Sequence, residues 1–189
     1  LASASNTSMN NLPMVLRFDV GNCLGYSSLY MALAERMGLP VFGVETPRHI
    51  FVRWEDGKTR CNLELTDLGR ERSDAGYTEG RFGEKIPEAC VASGVFLANR
   101  TRREILASIL NNRVASFFHE GRPDKAREMA EAAICLNAKH PLAYLNRGTA
   151  VFETDLSGLQ DALRDVEKSL DLYPRFHGGL LAKASLLRR

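Results

Sequence analysis

The stretch Gly21-Asn22-Cys23-Leu24-Gly25-Tyr26-Ser27-Ser28-Leu29 joins a Gly-Asn turn to a helical pattern that begins at a cysteine. The pattern predicts a helix over residues 23–37, ended by Gly38 and Pro40, because its apolar residues recur at helical spacing. These residues form one stripe, which we expect to face the core: Tyr26, Leu29, Tyr30, Leu33 and Met37. A thiol in the first turn of a helix lies at the positive end of the macrodipole, which favours the nucleophilic thiolate.

Two strand-like segments follow, separated by an Asp-Gly pair at positions 56 and 57 that is typical of a two-residue hairpin turn. This turn predicts a register in which His49 faces Glu64. Directly opposed residues have Cβ atoms about 4.5–5.5 Å apart, so a carboxylate there can hold an imidazole. The other face of the hairpin is apolar and is predicted to be core, through Ile50, Val52, Trp54, Cys61, Leu63 and Leu65.

A candidate catalytic set emerges from these elements. A cysteine nucleophile needs a base and a third group that orients the base, and Cys23, His49 and Glu64 are of the types required. Backbone N–H groups at the helix start are expected to bind an oxyanion. Asn62 lies on the same face of the predicted hairpin as His49 and is the alternative third residue. The competing interpretation is that Cys23 packs in the core, His49 is a surface residue and Glu64 pairs with an arginine.

Residues 67–83 are rich in Gly, Arg, Glu and Asp and are predicted to be loop, with Asp74 and Tyr77 at the edge of a cleft. From Thr101 the pattern becomes helical and fits a tetratricopeptide repeat, which has a 34-residue period. The first unit starts at Ala107, the second at Pro141 and a partial third at His177, with two extra residues within 155–158. Small residues fall where the repeat requires them, at Gly121, Ala126, Ala133, Gly148, Ala162, Ser169 and Ala184.

The composition is that of an ordinary globular protein, with 44% hydrophobic residues and a net charge of +2 over 189 residues. Such a charge gives no reason to expect nucleic acid as a partner, and no apolar run is long enough to span a membrane. The four cysteines form no C-x-x-C pair, so we expect free thiols, no metal and no cofactor. This favours a cytoplasmic location. The chain begins with Leu rather than Met, which leaves open a lost upstream signal or domain and a secreted or periplasmic location.

Three motifs together resemble the transglutaminase-like superfamily, in the bacterial form joined to tetratricopeptide helices. They are Gly-Asn-Cys-Leu-Gly with the helix after it, Pro-x-His-Ile-Phe-Val-Arg at 47–53 and Asn-x-Glu-x-Thr at 62–66, and the resemblance covers about residues 14–176. It implies a papain-like α+β core over residues 1–100 and a tetratricopeptide-repeat helical domain over 101–189.

In function, the resemblance implies acyl transfer or hydrolysis at a protein or peptide amide. Cys23 would be the nucleophile, His49 the base and Glu64 the orienting acid. The superfamily usually has Asp as the third residue and often has Trp where this chain has Leu24. Asn10 and Asn11 are candidates for the side chain that assists the oxyanion hole. The alternative is an inactive fold that serves, with its helices, as a protein-interaction module.

Overall fold

The computed structural model describes residues 12–80, 84–154 and 156–188. Its chain divides into two compact units, Leu1–Thr101 and Arg102–Arg189. None of the helices within the described ranges is long and apolar enough to cross a membrane.

Within its described residues, the N-terminal unit combines four α-helices with an antiparallel sheet. The strands are β1 (Val41–Thr46), β2 (His49–Glu55), β3 (Arg60–Glu64), β4 (Arg70–Arg72) and β5 (Asn99–Arg100). Their order across the sheet is β4-β3-β2-β1-β5. The helices are α1 (Leu12–Phe18), α2 (Cys23–Arg36), α3 (Asp74–Thr78) and α4 (Glu88–Ala92), and α2 packs on β1 and β2.

The hairpin of β2 and β3 forms as predicted, but its register differs by two residues. Glu55 pairs with Arg60 rather than Lys58, so the loop has four residues instead of two. The Asp56 side chain explains the longer loop, since its Oδ1 accepts from the backbone N–H of Lys58 at 2.8 Å and of Thr59 at 2.7 Å. Because side chains alternate with a period of two, this shift leaves every residue on its predicted face.

Burial of the hairpin is not confined to the face predicted to be core. Ile50 and Val52 are buried as expected, whereas Trp54, Cys61 and Leu63 are only half-buried. The opposite face is at least as well covered, with Phe51, Arg53, Asn62 and Glu64 all buried. The second face is covered because α3 and the segment before β5 contact Phe51 and Arg53.

Helix α2 turns a different side to the sheet from the one its sequence predicts. Its buried residues are Leu24, Gly25, Ser27 and Ala34, most of them small. Three members of the apolar stripe are exposed, at 38% for Tyr30, 51% for Leu33 and 70% for Met37. The other two, Tyr26 and Leu29, are half-buried. Small side chains let the helix approach the sheet closely, and this packing replaces the burial expected of the stripe.

The region predicted to be loop contains β4 and α3. Strand β4 adds to the edge of the sheet, where Arg72 pairs with Asn62 and Arg70 with Glu64. Helix α3 is only five residues long and is capped by Ser73, whose Oγ accepts from the N–H of Gly76. Neither element has enough residues to produce a periodic pattern, so both were missed.

The C-terminal unit is entirely helical within its described residues. Its helices are α5 (Arg102–His119), α6 (Pro123–Leu136), α7 (Pro141–Thr154), α8 (Leu159–Leu172) and α9 (His177–Leu187), with a 3₁₀ turn at Leu156–Gly158 where extra residues were predicted. The predicted small positions are fully buried at Ala126, Ala133, Ala162 and Ser169, whereas Ala184 is exposed. Gly148 is required by close packing, since a Cβ there would lie 2.8 Å from the carbonyl oxygen of Ala162.

Candidate active site

The turn before α2 places Cys23 at the first position of the helix. Asn22 is the N-cap, and its side-chain oxygen accepts from the backbone N–H of Leu24 at 3.1 Å and of Gly25 at 3.0 Å. Gly21 is required just before the cap, because a Cβ there would lie 3.0 Å from Val15 and 3.1 Å from the Tyr26 ring. The local sequence thus fixes the thiol at the positive end of the helix.

His49 and the Cys23 thiol are close enough for each to shift the pKa of the other. His49 opens β2 directly after a two-residue turn and pairs with Thr46 of β1. Its side chain is 10% exposed. Its Nε2 lies 2.6 Å from Oε2 of Glu64, so that Nδ1 is the ring nitrogen not engaged by this carboxylate.

The surroundings favour a thiolate paired with an imidazolium. Burial alone raises the pKa of Cys23, but the hydrogen bond and charge of His49 outweigh it, and the N–H groups of Ile50 and Leu24 add to the net lowering. Burial alone lowers the pKa of His49, but its hydrogen bonds and charge interactions with Cys23 and Glu64 raise that pKa to about 9. Both shifts favour a proton on the imidazole over one on the thiol.

The carboxylate of Glu64 is fully buried and accepts four hydrogen bonds. Oε2 accepts from His49 Nε2 at 2.6 Å and from the Tyr77 hydroxyl at 3.2 Å. Oε1 accepts from the hydroxyl of Thr66 at 2.5 Å and from its backbone N–H at 3.1 Å. Burial acts to raise the pKa of Glu64, and the bonds from His49 and Thr66 lower it overall, so the carboxylate stays ionised.

His49 and Glu64 meet diagonally, not face to face as predicted. Continuing the observed pairing places Phe51 opposite Glu64, two residues from His49 on the same face. The longer side chain of glutamate, compared with aspartate, spans this diagonal.

Asn62, the alternative third residue, is engaged elsewhere in a buried polar network. Its Oδ1 accepts from Arg53 Nε at 2.7 Å, and its Nδ2 donates to the carbonyl oxygen of Arg72 at 3.0 Å and to Asp74 at 2.7 Å. The guanidinium of Arg53 also donates to the carbonyl oxygen of Leu97 at 2.9 Å. Through these contacts, Asn62 of β3 links strands β2 and β4 to helix α3.

Sequence reasoning overlooked part of the surroundings of Glu64. The sequence patterns predicted no role for Thr66 beyond its motif and no hydrogen-bond partner for Tyr77 at the cleft edge. The Ser73-Asp74 pair is a helix-start signal that could have predicted α3 and hence a fixed position for Tyr77. Asn10 and Asn11, the candidates for the oxyanion hole, lie outside the described residues. Within the described ranges, no group of three or more His, Cys, Asp or Glu residues is arranged to hold a metal ion.

Comparison with known proteins agrees with the family suggested by the motifs. The family model of the transglutaminase-like superfamily matches residues 4–111. A UPF0162 protein of Xylella fastidiosa strain Temecula1 is 27% identical over 185 residues, and one of strain 9a5c is 25% identical over 179 residues. Each alignment covers 93% of this chain, but the chain spans only 63% of each relative.

Two solved structures of tetratricopeptide domains are similar to part of the chain. The first TPR of Spaghetti (RPAP3), bound to the HSP90 peptide SRMEEVD, is 26% identical, with a TM-score of 0.40 over 43% of this chain and 64% of that chain. The Arabidopsis OM64 TPR domain is 29% identical, with a TM-score of 0.40 over 43% of this chain and 66% of that chain. The predicted fold class is confirmed: the chain is α+β, with a transglutaminase-like core and an all-α tetratricopeptide-like segment.

Proposed function

Because the chain belongs to the transglutaminase-like superfamily, we propose that it is a cysteine acyltransferase or hydrolase that acts on a protein or peptide amide. Cys23 is the nucleophile, His49 is the general acid and base, and Glu64 orients His49. The observation that carries the proposal is the 2.6 Å contact between Nε2 of His49 and Oε2 of Glu64, beside a thiol at a helix start whose pKa His49 lowers.

In the first half of the reaction, the Cys23 thiolate attacks the carbonyl carbon of the amide and forms a tetrahedral intermediate. The backbone N–H of Cys23 at the helix start binds its oxyanion, because the N–H groups of Leu24 and Gly25 already donate to Asn22. His49 donates its proton to the amide nitrogen, the carbon–nitrogen bond breaks and an amine or ammonia leaves. A thioester on Cys23 and a neutral imidazole remain.

In the second half, the neutral imidazole takes a proton from an acceptor as the acceptor attacks the thioester. Water yields a carboxylic acid, and a primary amine yields a new amide. The thiolate leaves and the imidazolium is restored. Glu64 stays ionised throughout and holds Nε2, so that Nδ1 is the nitrogen that exchanges protons with Cys23 and the acceptor.

The other cysteines provide an internal control for the activated thiol. Cys135 is exposed and Cys23 is half-buried, so exposure alone would make Cys135 react faster than Cys23. We expect iodoacetamide near neutral pH to modify Cys23 about tenfold faster than Cys135, since an ordinary thiol is only a few per cent ionised there. His49→Ala should abolish this preference. Peptide mapping by mass spectrometry measures both rates, and equal rates in the wild-type chain would refute an activated thiol.

Acyl transfer itself can be followed with casein as donor and a fluorescent primary amine as acceptor. Incorporation of the amine that is lost in Cys23→Ala supports transfer, and release of ammonia without incorporation supports hydrolysis. Cys135→Ala is the matched control and should behave like the wild-type chain. Activity that survives in Cys23→Ala would contradict the assignment of the nucleophile.

A second candidate function is a protein-interaction module, which the helical segment favours. Helices α5 to α8 form two antiparallel pairs with buried small residues, and an Asn111–Asn146 hydrogen bond of 2.8 Å links α5 to α7. A module of this kind would bind its partner without the thiol. Partner capture that is unaffected by Cys23→Ala but lost on deleting residues 105–189 supports this function. Capture that requires Cys23 supports the enzyme instead.

A further inference from the structure

Both carboxylate oxygens of Glu64 accept hydrogen bonds from residues other than His49. Thr66 binds Oε1 through its hydroxyl and its backbone N–H, and the Tyr77 hydroxyl binds Oε2. A carboxylate has about four acceptor positions, and with His49 all four are filled. The plane of the carboxylate is therefore fixed by groups other than the imidazole it orients.

This arrangement matters because glutamate has one more rotatable bond than aspartate. A free glutamate side chain would swing its carboxylate away from the imidazole, and ordering it costs conformational entropy. Thr66 follows Glu64 by two residues and lies in the 3₁₀ turn Leu65–Asp67 that the Glu64 side chain caps, so one of the two restraints is local. The other restraint is the hydroxyl of Tyr77 in α3, thirteen residues further along the chain.

Tyr77 is itself held in place from two sides. Its ring stacks on Phe51 with a centroid distance of 3.9 Å and an interplanar angle of 10°, and it is 2% exposed. One turn earlier in α3, Asp74 accepts from Arg53 Nη2 at 2.7 Å. Arg53 is 1% exposed and sits on the same strand face as Phe51, so the helix is bonded to the strand that carries His49.

We propose that Tyr77 and Thr66 are positioning residues that hold Glu64 against His49, and that the Arg53–Asp74 bond fixes Tyr77 for this role. The inference deepens the proposed function, on which it rests, by explaining how a glutamate serves in a place where aspartate is usual. Burial and the adjacent charge of Glu64 raise the pKa of Tyr77, so its hydroxyl stays a donor at all physiological pH values.

The proposal predicts the direction in which His49 titrates. The titratable groups that act on His49 are Cys23 from α2 and Glu64 from β3, and those that act on Tyr77 are Glu64, Arg72 from β4 and Asp74 from α3. If Glu64 is released from either restraint, its carboxylate supports the imidazolium less well. The pKa of His49 should then fall and that of Cys23 should rise.

The test is an NMR titration of His49 in the full chain, assigned by comparison with His49→Gln. Tyr77→Phe keeps the ring stacking but removes the hydroxyl, and Thr66→Val keeps the shape but removes the other side-chain donor. We expect each to lower the pKa of His49 by about 0.5–1 unit, a shift within the normal spread that environment produces. Thr66→Ser should restore the wild-type value, and Tyr144→Phe, which removes an exposed hydroxyl bond in the other unit, should change nothing.

Two outcomes would overturn the proposal. An unchanged His49 pKa in Tyr77→Phe and Thr66→Val would mean that Glu64 needs no help, and a raised pKa would mean that Tyr77 merely competes with His49 for Oε2. The readout does not depend on turnover. A chain without acyl-transfer activity whose His49 still titrates as expected would refute the proposed function and leave the positioning role intact.

Discussion

Replacing Glu64 by glutamine removes one charge from the centre of the site with almost no change in shape. The carboxylate accepts four hydrogen bonds in a fully buried position, whereas an amide can accept only at its single oxygen. Whichever oxygen becomes the amide nitrogen, at least one buried N–H, of Thr66 or of His49, will face another donor.

The cost can be worked from these contacts. One unpaired buried donor costs about 1–3 kcal/mol. The remaining bonds lose their charge assistance, and with it about half their strength. We therefore expect Glu64→Gln to lower the free energy of unfolding by about 2–4 kcal/mol. Two unit charges about 4 Å apart interact by about 4 kcal/mol at an effective dielectric constant near 20. This energy is the upper limit of the stabilisation that the His49 imidazolium loses in Glu64→Gln. Its pKa should fall from about 9 by about one to two units.

Urea unfolding followed by the fluorescence of Trp54, the single tryptophan, measures the stability of the N-terminal unit. Glu71→Gln is the matched control, because Glu71 is exposed on the neighbouring strand β4. It should unfold at the wild-type urea concentration. If Glu64→Gln also did so, the four-bond arrangement around Glu64 would be refuted.

Three further predictions concern the cap, the helical unit and pH. Asn22→Ala should cost about 1 kcal/mol of stability in urea by removing the N-cap bonds, and an unchanged urea midpoint would argue against the cap. Gly148→Ala should cost about 1–3 kcal/mol, read by circular dichroism, because its Cβ would meet the Ala162 carbonyl oxygen; wild-type stability would contradict this packing. Folding raises the pKa of His49 to about 9 and lowers the pKa of Cys23, so the effects of the two groups on the pH dependence of stability oppose each other. In Cys23→Ala only the part of the His49 shift that comes from Glu64 remains, so stability should fall as pH rises above the ordinary histidine pKa of 6.5, and a flat profile would contradict the assignment.

The parts of the fold that the sequence predicted are those set by local patterns. The helix from Cys23 to Arg36 follows from its apolar spacing and from Gly38, and the hairpin follows from the alternation on both sides of Asp56. The predicted contact between His49 and Glu64 forms although the predicted register was wrong by two residues. A shift of two residues leaves each side chain on the same face of its strand.

The parts that the sequence did not predict depend on contacts between distant residues. The four-residue hairpin loop results from the hydrogen bonds of the Asp56 side chain, which a two-residue turn rule ignores. The burial of Arg53 depends on Asp74 and on Leu97, which is 44 residues away. The exposed stripe of α2 shows that apolar spacing predicts a helix but not which side of it meets the sheet.

The central claim is that Cys23 and His49 form a thiolate–imidazolium pair. A titration of the thiolate by its ultraviolet absorbance, taken as the difference between the wild-type chain and Cys23→Ala, measures the ionisation of Cys23 directly. We predict that the pKa of Cys23 lies below the ordinary thiol value of 9.0. The same titration in His49→Ala should raise the pKa of Cys23 towards 9.0 or above, because only the N–H groups of Ile50 and Leu24 then oppose the effect of burial. Ionisation of the wild-type Cys23 at or above 9.0 would contradict the account.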